Sequence, residues 1–135
     1  MKKSFTTRNV VIDTNVIVSA AISPYGNAAI ILNMVFDGEV LAFYSSSILA
    51  EYIDVLSRPR LSIATSIQDR VVKGFKHFGI LVCPATSKIP MPDESDRIFY
   101  DAAIESASVL ITGNARHYPA ESNIMTPAAF LSVLM

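Results

Sequence analysis

The chain has one cysteine, Cys83, and no tryptophan. A single thiol can close no internal disulfide and build no thiolate metal cage. Charge is scarce as well. Eleven Lys and Arg against 12 Asp and Glu leave a formal net charge of −1, and charged residues make up 17% of the chain. A dedicated non-specific nucleic-acid binder is usually strongly basic, so a nucleic-acid role here must rest on a local patch. Long apolar runs are missing too. The longest, residues 16–22, contains Ser19 and is far shorter than the roughly 20 residues of a membrane-spanning helix. At the start, Lys2, Lys3 and Arg8 precede an apolar stretch that Asp13 interrupts, which is not the pattern of a secretory signal. The expectation is a cytoplasmic protein with no membrane role.

Apolar residues are plentiful, at 51% of 135. That excludes a disordered chain, and the length is that of one domain, residues 1–135. The pattern along the chain is regular. Asn9-Val10-Val11-Ile12-Asp13 reads as a buried strand ending in an acid, its β-branched run typical of a parallel sheet covered on both faces. A helix over residues 16–22 stops at the turn Ser23-Pro24-Tyr25-Gly26. Asn27 can cap a second helix to Phe36, with Gly38 as its C′ residue. Residues 40–44 form a second strand. Ser45-Ser46-Ser47 offers caps for a helix over residues 48–57, ended by Pro59. Another helix runs from Thr65 or Ser66 to Phe78. A third strand covers residues 80–83, a helix residues 94–107, a fourth strand residues 109–112 and a short fifth residues 123–125. Thr126-Pro127 starts a last helix. Strands alternating with helices predict a mostly parallel sheet between helical layers, an α/β/α sandwich. Ligands of such sheets sit at the carboxyl ends of the strands.

Two acids stand out on position. Asp13 ends the first strand on that rim, followed by Thr14 and Asn15; all three residue types also cap helices. Asp96 shares a helix face with Phe99, Tyr100, Ala103 and Ala107, so it is aimed inward, where an unpaired carboxylate is costly. A cap hydrogen bond, a cation or a metal could satisfy it, and Asp93, a turn earlier, could join. Asp101 falls on the opposite face and is expected in solvent. Glu51 lies at the edge of a polar face, where most glutamates are surface residues, and Asp54 is expected in solvent. His77 and His117 lack zinc-site spacing; His117 is read as a loop residue. Cys83, after an apolar strand, is expected in the core. No Ser-His-Asp order, P-loop or GxGxxG motif is present.

Together these pieces resemble the PIN-domain family. Val11-Ile12-Asp13-Thr14-Asn15-Val16 resembles its opening signature. Residues 48–59, with Glu51 and Pro59, resemble its second acidic helix. Pro92-Asp93-Glu94-Ser95-Asp96 with Phe99 resembles its third acidic segment. Val109-Leu110-Ile111-Thr112-Gly113 resembles its final strand and turn. The resemblance implies a PIN-like three-layer α/β/α sandwich. It implies a metal-dependent ribonuclease in which Asp13, Glu51 and Asp96 hold Mg²⁺ or Mn²⁺. Only the resemblance moves Glu51 from the surface to the site. It further implies the toxin of a toxin-antitoxin pair. One departure is that Asn114 stands where many PIN domains have a fourth acid, which lowers the charge available to a second cation.

On this reading water attacks RNA phosphorus, leaving a 5′-phosphate and a 3′-hydroxyl. Asp13 and Asp96 are direct ligands, Glu51 is a ligand or water-orienting base, and Asn114 and Thr112 support them with Thr14, Asn15 and Asp93. Arg97 and Arg116, beside the motif residues, are the expected phosphate contacts. The partners expected are RNA, an antitoxin protein and a second copy of the chain in a homodimer. The contact is placed on residues 16–36, whose apolar residues exceed one buried stripe; the alternative is that both helices are sandwiched in the core. A different class of function is a non-catalytic PIN-like module that binds RNA or protein. A phospho-acceptor domain using Asp13 lacks the paired acids and rim lysine it would need.

Overall fold

A computed structural model describes residues 6–134; Lys2 and Lys3 lie outside the described residues. Five strands, β1 (Thr6–Ile12), β2 (Leu41–Tyr44), β3 (Ile80–Leu81), β4 (Ser108–Ile111) and β5 (Ile124–Met125), make one sheet in the order β3-β2-β1-β4-β5. Every pairing is parallel. Six helices complete the domain: α1 (Thr14–Ile22), α2 (Asn27–Phe36), α3 (Ser46–Leu56), α4 (Thr65–Phe78), α5 (Arg97–Ser106) and α6 (Pro127–Leu134). The architecture is the expected α/β/α fold.

The two central strands show why the sheet is sandwiched. Successive side chains of a strand point to opposite faces. Yet Val10, Val11 and Ile12 of β1, and Val109, Leu110 and Ile111 of β4, are all essentially inaccessible. Helices must therefore cover both faces, and α5 packs on β1, β2 and β4 while α4 packs on β2. Tyr52 of α3 is fully buried, its ring stacked near Phe99 of α5 and 5.1 Å from Phe75 of α4. Its hydroxyl donates to the carbonyl of Ile12, which fixes the end of β1 just before Asp13.

The register then sets the rim. Ile12 lies opposite Ile111, and the Asp13 N–H continues the ladder to the Ile111 carbonyl at 2.9 Å. Asp13 and Thr112 therefore sit side by side, about one strand spacing apart. The chain winds from β1 to β2 and β3 on one side and to β4 and β5 on the other. The β1–β4 gap is thus the switch point at which open parallel sheets bind ligands.

Several local expectations are corrected. Asp101 is buried, because α5 is covered on that face by the segment before it: Asp101 Oδ2 accepts the Ser87 N–H at 3.1 Å. Cys83 is exposed, because β3 ends at Leu81 and the chain leaves the sheet there. Gly26 takes the N-cap position of α2 in place of Asn27. The helix expected over residues 94–107 opens as a 3₁₀ turn, Glu94–Asp96, and becomes α-helical only at Arg97. In α1 and α2, Ile17, Ile31 and Val35 are core residues, while Ile22, Ile30 and, in the turn between the helices, Tyr25 are exposed. Among the described residues no single helix is long and apolar enough to cross a membrane.

Candidate active site

Asp13 is the N-cap residue of α1 by position, but its side chain caps nothing. The carboxylate turns to the sheet instead. Its Oδ2 accepts the Thr112 hydroxyl at 2.8 Å and the Tyr118 hydroxyl at 2.9 Å. Asp13, Thr112 and Tyr118 are all buried. Two hydroxyl donors on one oxygen orient the group and leave Oδ1 without a partner among the described residues. The residues after Asp13 are also committed. Thr14 donates its hydroxyl to Glu51, and Asn15 Oδ1 accepts the Gly113 N–H at 3.0 Å. Asp13-Thr14-Asn15 thus ties β1 to α3 and to the turn after β4. In that turn the Asn114 N–H donates to Thr112 Oγ1 at 3.0 Å, while the Asn114 side chain is exposed.

Asp96 precedes α5 and likewise makes no cap hydrogen bond. Its Oδ2 is buried without a hydrogen-bond partner, although His117 Nδ1 lies 3.3 Å away. Burial, then the charges of Asp13 and Asp93, push its carboxyl up to about 6, against a smaller opposing effect of His117. Asp93 does cap, accepting the Ser95 N–H and hydroxyl, which holds it below the usual carboxylate range.

The acids meet around Tyr118. Burial raises its phenol far above the usual range, and the charges of Asp13, Asp96 and Glu51 add to this. Burial, with Asp13 and Glu51, does the same to Tyr52. Both phenols therefore stay protonated and remain donors. Among the described residues, the one set of three or more His, Cys, Asp or Glu ligand atoms within 4.8 Å of one another is Asp93, Asp96 and His117. Asp13 and Glu51 do not enter this set, although Asp13 is near enough for its charge to act on Asp96.

The basic residues divide. Arg97 pairs with Glu94 and donates to the Ser87 carbonyl and hydroxyl at 2.8 and 2.9 Å, so it pins the preceding loop. Arg116 is exposed beside the site. Asp54 is solvated, as expected, and pairs with Arg58. A cleft of about 570 Å³ opens on the β4–β5 side of the acids, with Asn15, Ser19, Asn27, Gly113, Asn114 and Thr126 in its wall.

Sequence reasoning missed Tyr118 and read His117 only as a loop residue. Both lie in or just after the 3₁₀ turn Ala115–His117 at the carboxyl end of β4. That position was the available signal: residues just past a central strand reach the same rim as Asp13.

An open parallel sheet with carboxylates gathered at its switch point defines an α/β domain suited to cations and phosphates. The chain belongs to the PIN-domain family, whose description matches residues 9–116. PIN domains are generally metal-dependent nucleases, and the fold here is of that nuclease type. An uncharacterized protein of Methanocaldococcus jannaschii, MJ1680, is 34% identical over 108 residues, covering 78% of this chain and 70% of that protein. No solved structure matches the chain.

Proposed function

We propose that this protein is a Mg²⁺- or Mn²⁺-dependent endoribonuclease that hydrolyses RNA phosphodiester bonds. The observation that carries the reading is the buried, unpartnered Asp96 Oδ2 beside the buried Asp13. Buried carboxylate oxygens are normally hydrogen-bonded, and clustered acids call for a cation. Hard divalent cations take oxygen donors of this kind. Asp13 and Asp96 would hold the metal, with Glu51, Asp93 and His117 at hand. When bound, the metal supplies positive charge to the oxygens around phosphorus.

The protein's own groups have defined work in this scheme. Thr112 and Tyr118 keep Asp13 in one orientation. Thr14 holds Glu51 by a hydroxyl hydrogen bond, so that Glu51 can orient the attacking water and take its proton. The water oxygen bonds to phosphorus, the bond to O3′ breaks, O3′ takes a proton from solvent, and the products are a 5′-phosphate and a 3′-hydroxyl. Asn15, through Gly113, keeps Asn114 beside the acids without adding charge. Arg116 is the candidate phosphate contact; Arg97 could serve only by releasing Glu94 or Ser87. Single-stranded RNA suits the site better than a duplex, whose phosphates are held in a regular helix.

We further propose a cytoplasmic toxin restrained by a small antitoxin, with exposed Ile22, Tyr25 and Ile30 supporting a contact on α1, α2 and the turn between them. Co-purification with the product of a neighbouring gene, and light scattering for a homodimer, test these partners. The neutral Asn114 favours a second reading, a non-catalytic RNA- or protein-binding module. Labelled RNA pools incubated with Mg²⁺, Mn²⁺ or EDTA, beside Asp13→Asn, separate the two. The nuclease cuts only with metal and only as wild type; the module never cuts.

A further inference from the structure

Carboxylates are not the whole donor set at the rim. His117 brings an imidazole to them, and its Nδ1 lies 3.3 Å from Asp96 Oδ2. That is long for a charge-assisted hydrogen bond, which runs about 2.7–2.9 Å. It is close to the roughly 3 Å that separates neighbouring ligand atoms around an octahedral ion. Asp93 completes the set, because one ligand atom from each of Asp93, Asp96 and His117 lies within 4.8 Å of the other two. Asp96 Oδ2 is buried and takes no hydrogen bond, so the oxygen nearest the ring is free to bind an ion.

The side chains stand on braced backbone. His117 closes the 3₁₀ turn Ala115–His117, and its N–H donates to the Asn114 carbonyl at 3.0 Å. The next residue, Tyr118, is tied to Asp13 by its hydroxyl. Asp93 accepts the Ser95 N–H and hydroxyl at 3.0 and 2.8 Å. A set held in place beforehand loses little freedom when it binds. The same turn offsets the missing carboxylate at Asn114, since a ring nitrogen three residues on reaches Asp96. Exchanging an anionic oxygen for a neutral nitrogen changes which ion is favoured. Mg²⁺ is hard, dehydrates reluctantly and takes oxygen ligands. Imidazole suits first-row transition ions, whose affinity for N/O sites rises from Mn²⁺ to Co²⁺.

We infer that His117 is a metal ligand through Nδ1, beside Asp96 and Asp93, and that it makes the site select a first-row transition-metal ion over Mg²⁺. In the metal-free protein an imidazolium can hold Asp96 as an ion pair; the neutral ring is the ligand. The assignment rests on the metal-dependent reading for the purpose of the site, but its test needs no cleavage.

The chain has two histidines, and the other, His77, lies edge-on to Phe78 on α4, which supplies a control. Tag-free protein labelled with nitrogen-15 histidine is loaded with Mn²⁺ and read by pulsed electron paramagnetic resonance. Coupling of the ion to a histidine nitrogen should appear in wild type, persist in His77→Ala and vanish in His117→Ala. Calorimetric titration should show Mn²⁺ and Co²⁺ binding more tightly than Mg²⁺. His117→Ala should lose about tenfold or more in Mn²⁺ affinity and about twofold or less in Mg²⁺ affinity. His117→Asp, which restores an oxygen donor, should narrow the gap by strengthening Mg²⁺. Bound Mn²⁺ without histidine coupling would overturn the assignment and leave His117 as the ion-pair partner of Asp96. So would coupling that survives in His117→Ala, an equal loss of both ions in that variant when folded, or no binding of Mn²⁺ at all. If His117→Ala does not fold, the coupling in wild type and in His77→Ala decides. Histidine coupling without RNA cleavage would keep the ligand and remove the nuclease; metal-dependent cleavage without histidine coupling would do the reverse.

Discussion

Asp96→Asn should stabilise the metal-free protein, although it alters the centre of the candidate site. The Asp96 carboxyl is raised from 3.8 to about 6, first by burial and then by Asp13 and Asp93. A folded-state value above the unfolded one means the native state binds the proton more tightly. Its stability is then highest below about pH 4 and falls as pH rises through 4 to 6. About two pH units correspond to about 3 kcal/mol at full strength. Partial solvent exposure reduces this to about 1–2 kcal/mol. Asparagine escapes the penalty and gives up only the His117 contact at 3.3 Å, since the Asp96 side chain caps nothing. In EDTA at pH 7.5 the variant should melt about 3–8 °C above wild type. At pH 4 the two should coincide. Saturating Mn²⁺ should raise wild type and leave the variant where it was. Thermal melts of both proteins across pH, with and without Mn²⁺, make the comparison. A variant less stable than wild type at pH 7.5 in EDTA, or an advantage that persists at pH 4, would refute the reasoning.

Tyr118→Phe removes one of the two hydroxyl donors to Asp13 and should cost about 1.5–3 kcal/mol in urea denaturation, the usual loss for a hydrogen bond to a charged group. Gly79→Ala should cost about 2 kcal/mol by overpacking, because a Cβ there would lie 2.6 Å from the Phe75 carbonyl and 2.9 Å from the Tyr44 ring; an unchanged denaturation midpoint would contradict this. Arg116→Ala should weaken RNA binding about equally across sequences and reduce its salt dependence by about one phosphate contact, as read by filter binding at several salt concentrations.

The fold was legible because the strongest signals were local. The continuous β-branched run before Asp13, the prolines and glycines at element ends, and the strand–helix alternation fixed a parallel sandwich, and the strand ends marked its rim. Asp96 was legible from helical spacing, and Phe99, Tyr100 and Ala103 are indeed buried on its face. Glu51 was not, because what draws it inward is the Thr14 hydroxyl, 37 residues away in sequence. Asp101 was misread for a related reason. Helical spacing defines one apolar face, but not a loop that folds back over the other and hands its Ser87 N–H to the carboxylate. Tyr118 went unread and His117 was read only as a loop residue, because their partners, Asp13 and Asp96, are 105 and 21 residues away in sequence.

The central claim is that the acids at the β1–β4 gap bring metal and water to RNA phosphorus. Cleavage of labelled single-stranded RNA in oxygen-18 water, with Mn²⁺ and with EDTA, tests it most directly. Products should carry the heavy oxygen in a 5′-phosphate and a free 3′-hydroxyl on the other fragment, with no cleavage in EDTA. A 2′,3′-cyclic phosphate, an unlabelled 5′-end, or cleavage that persists in EDTA would contradict it.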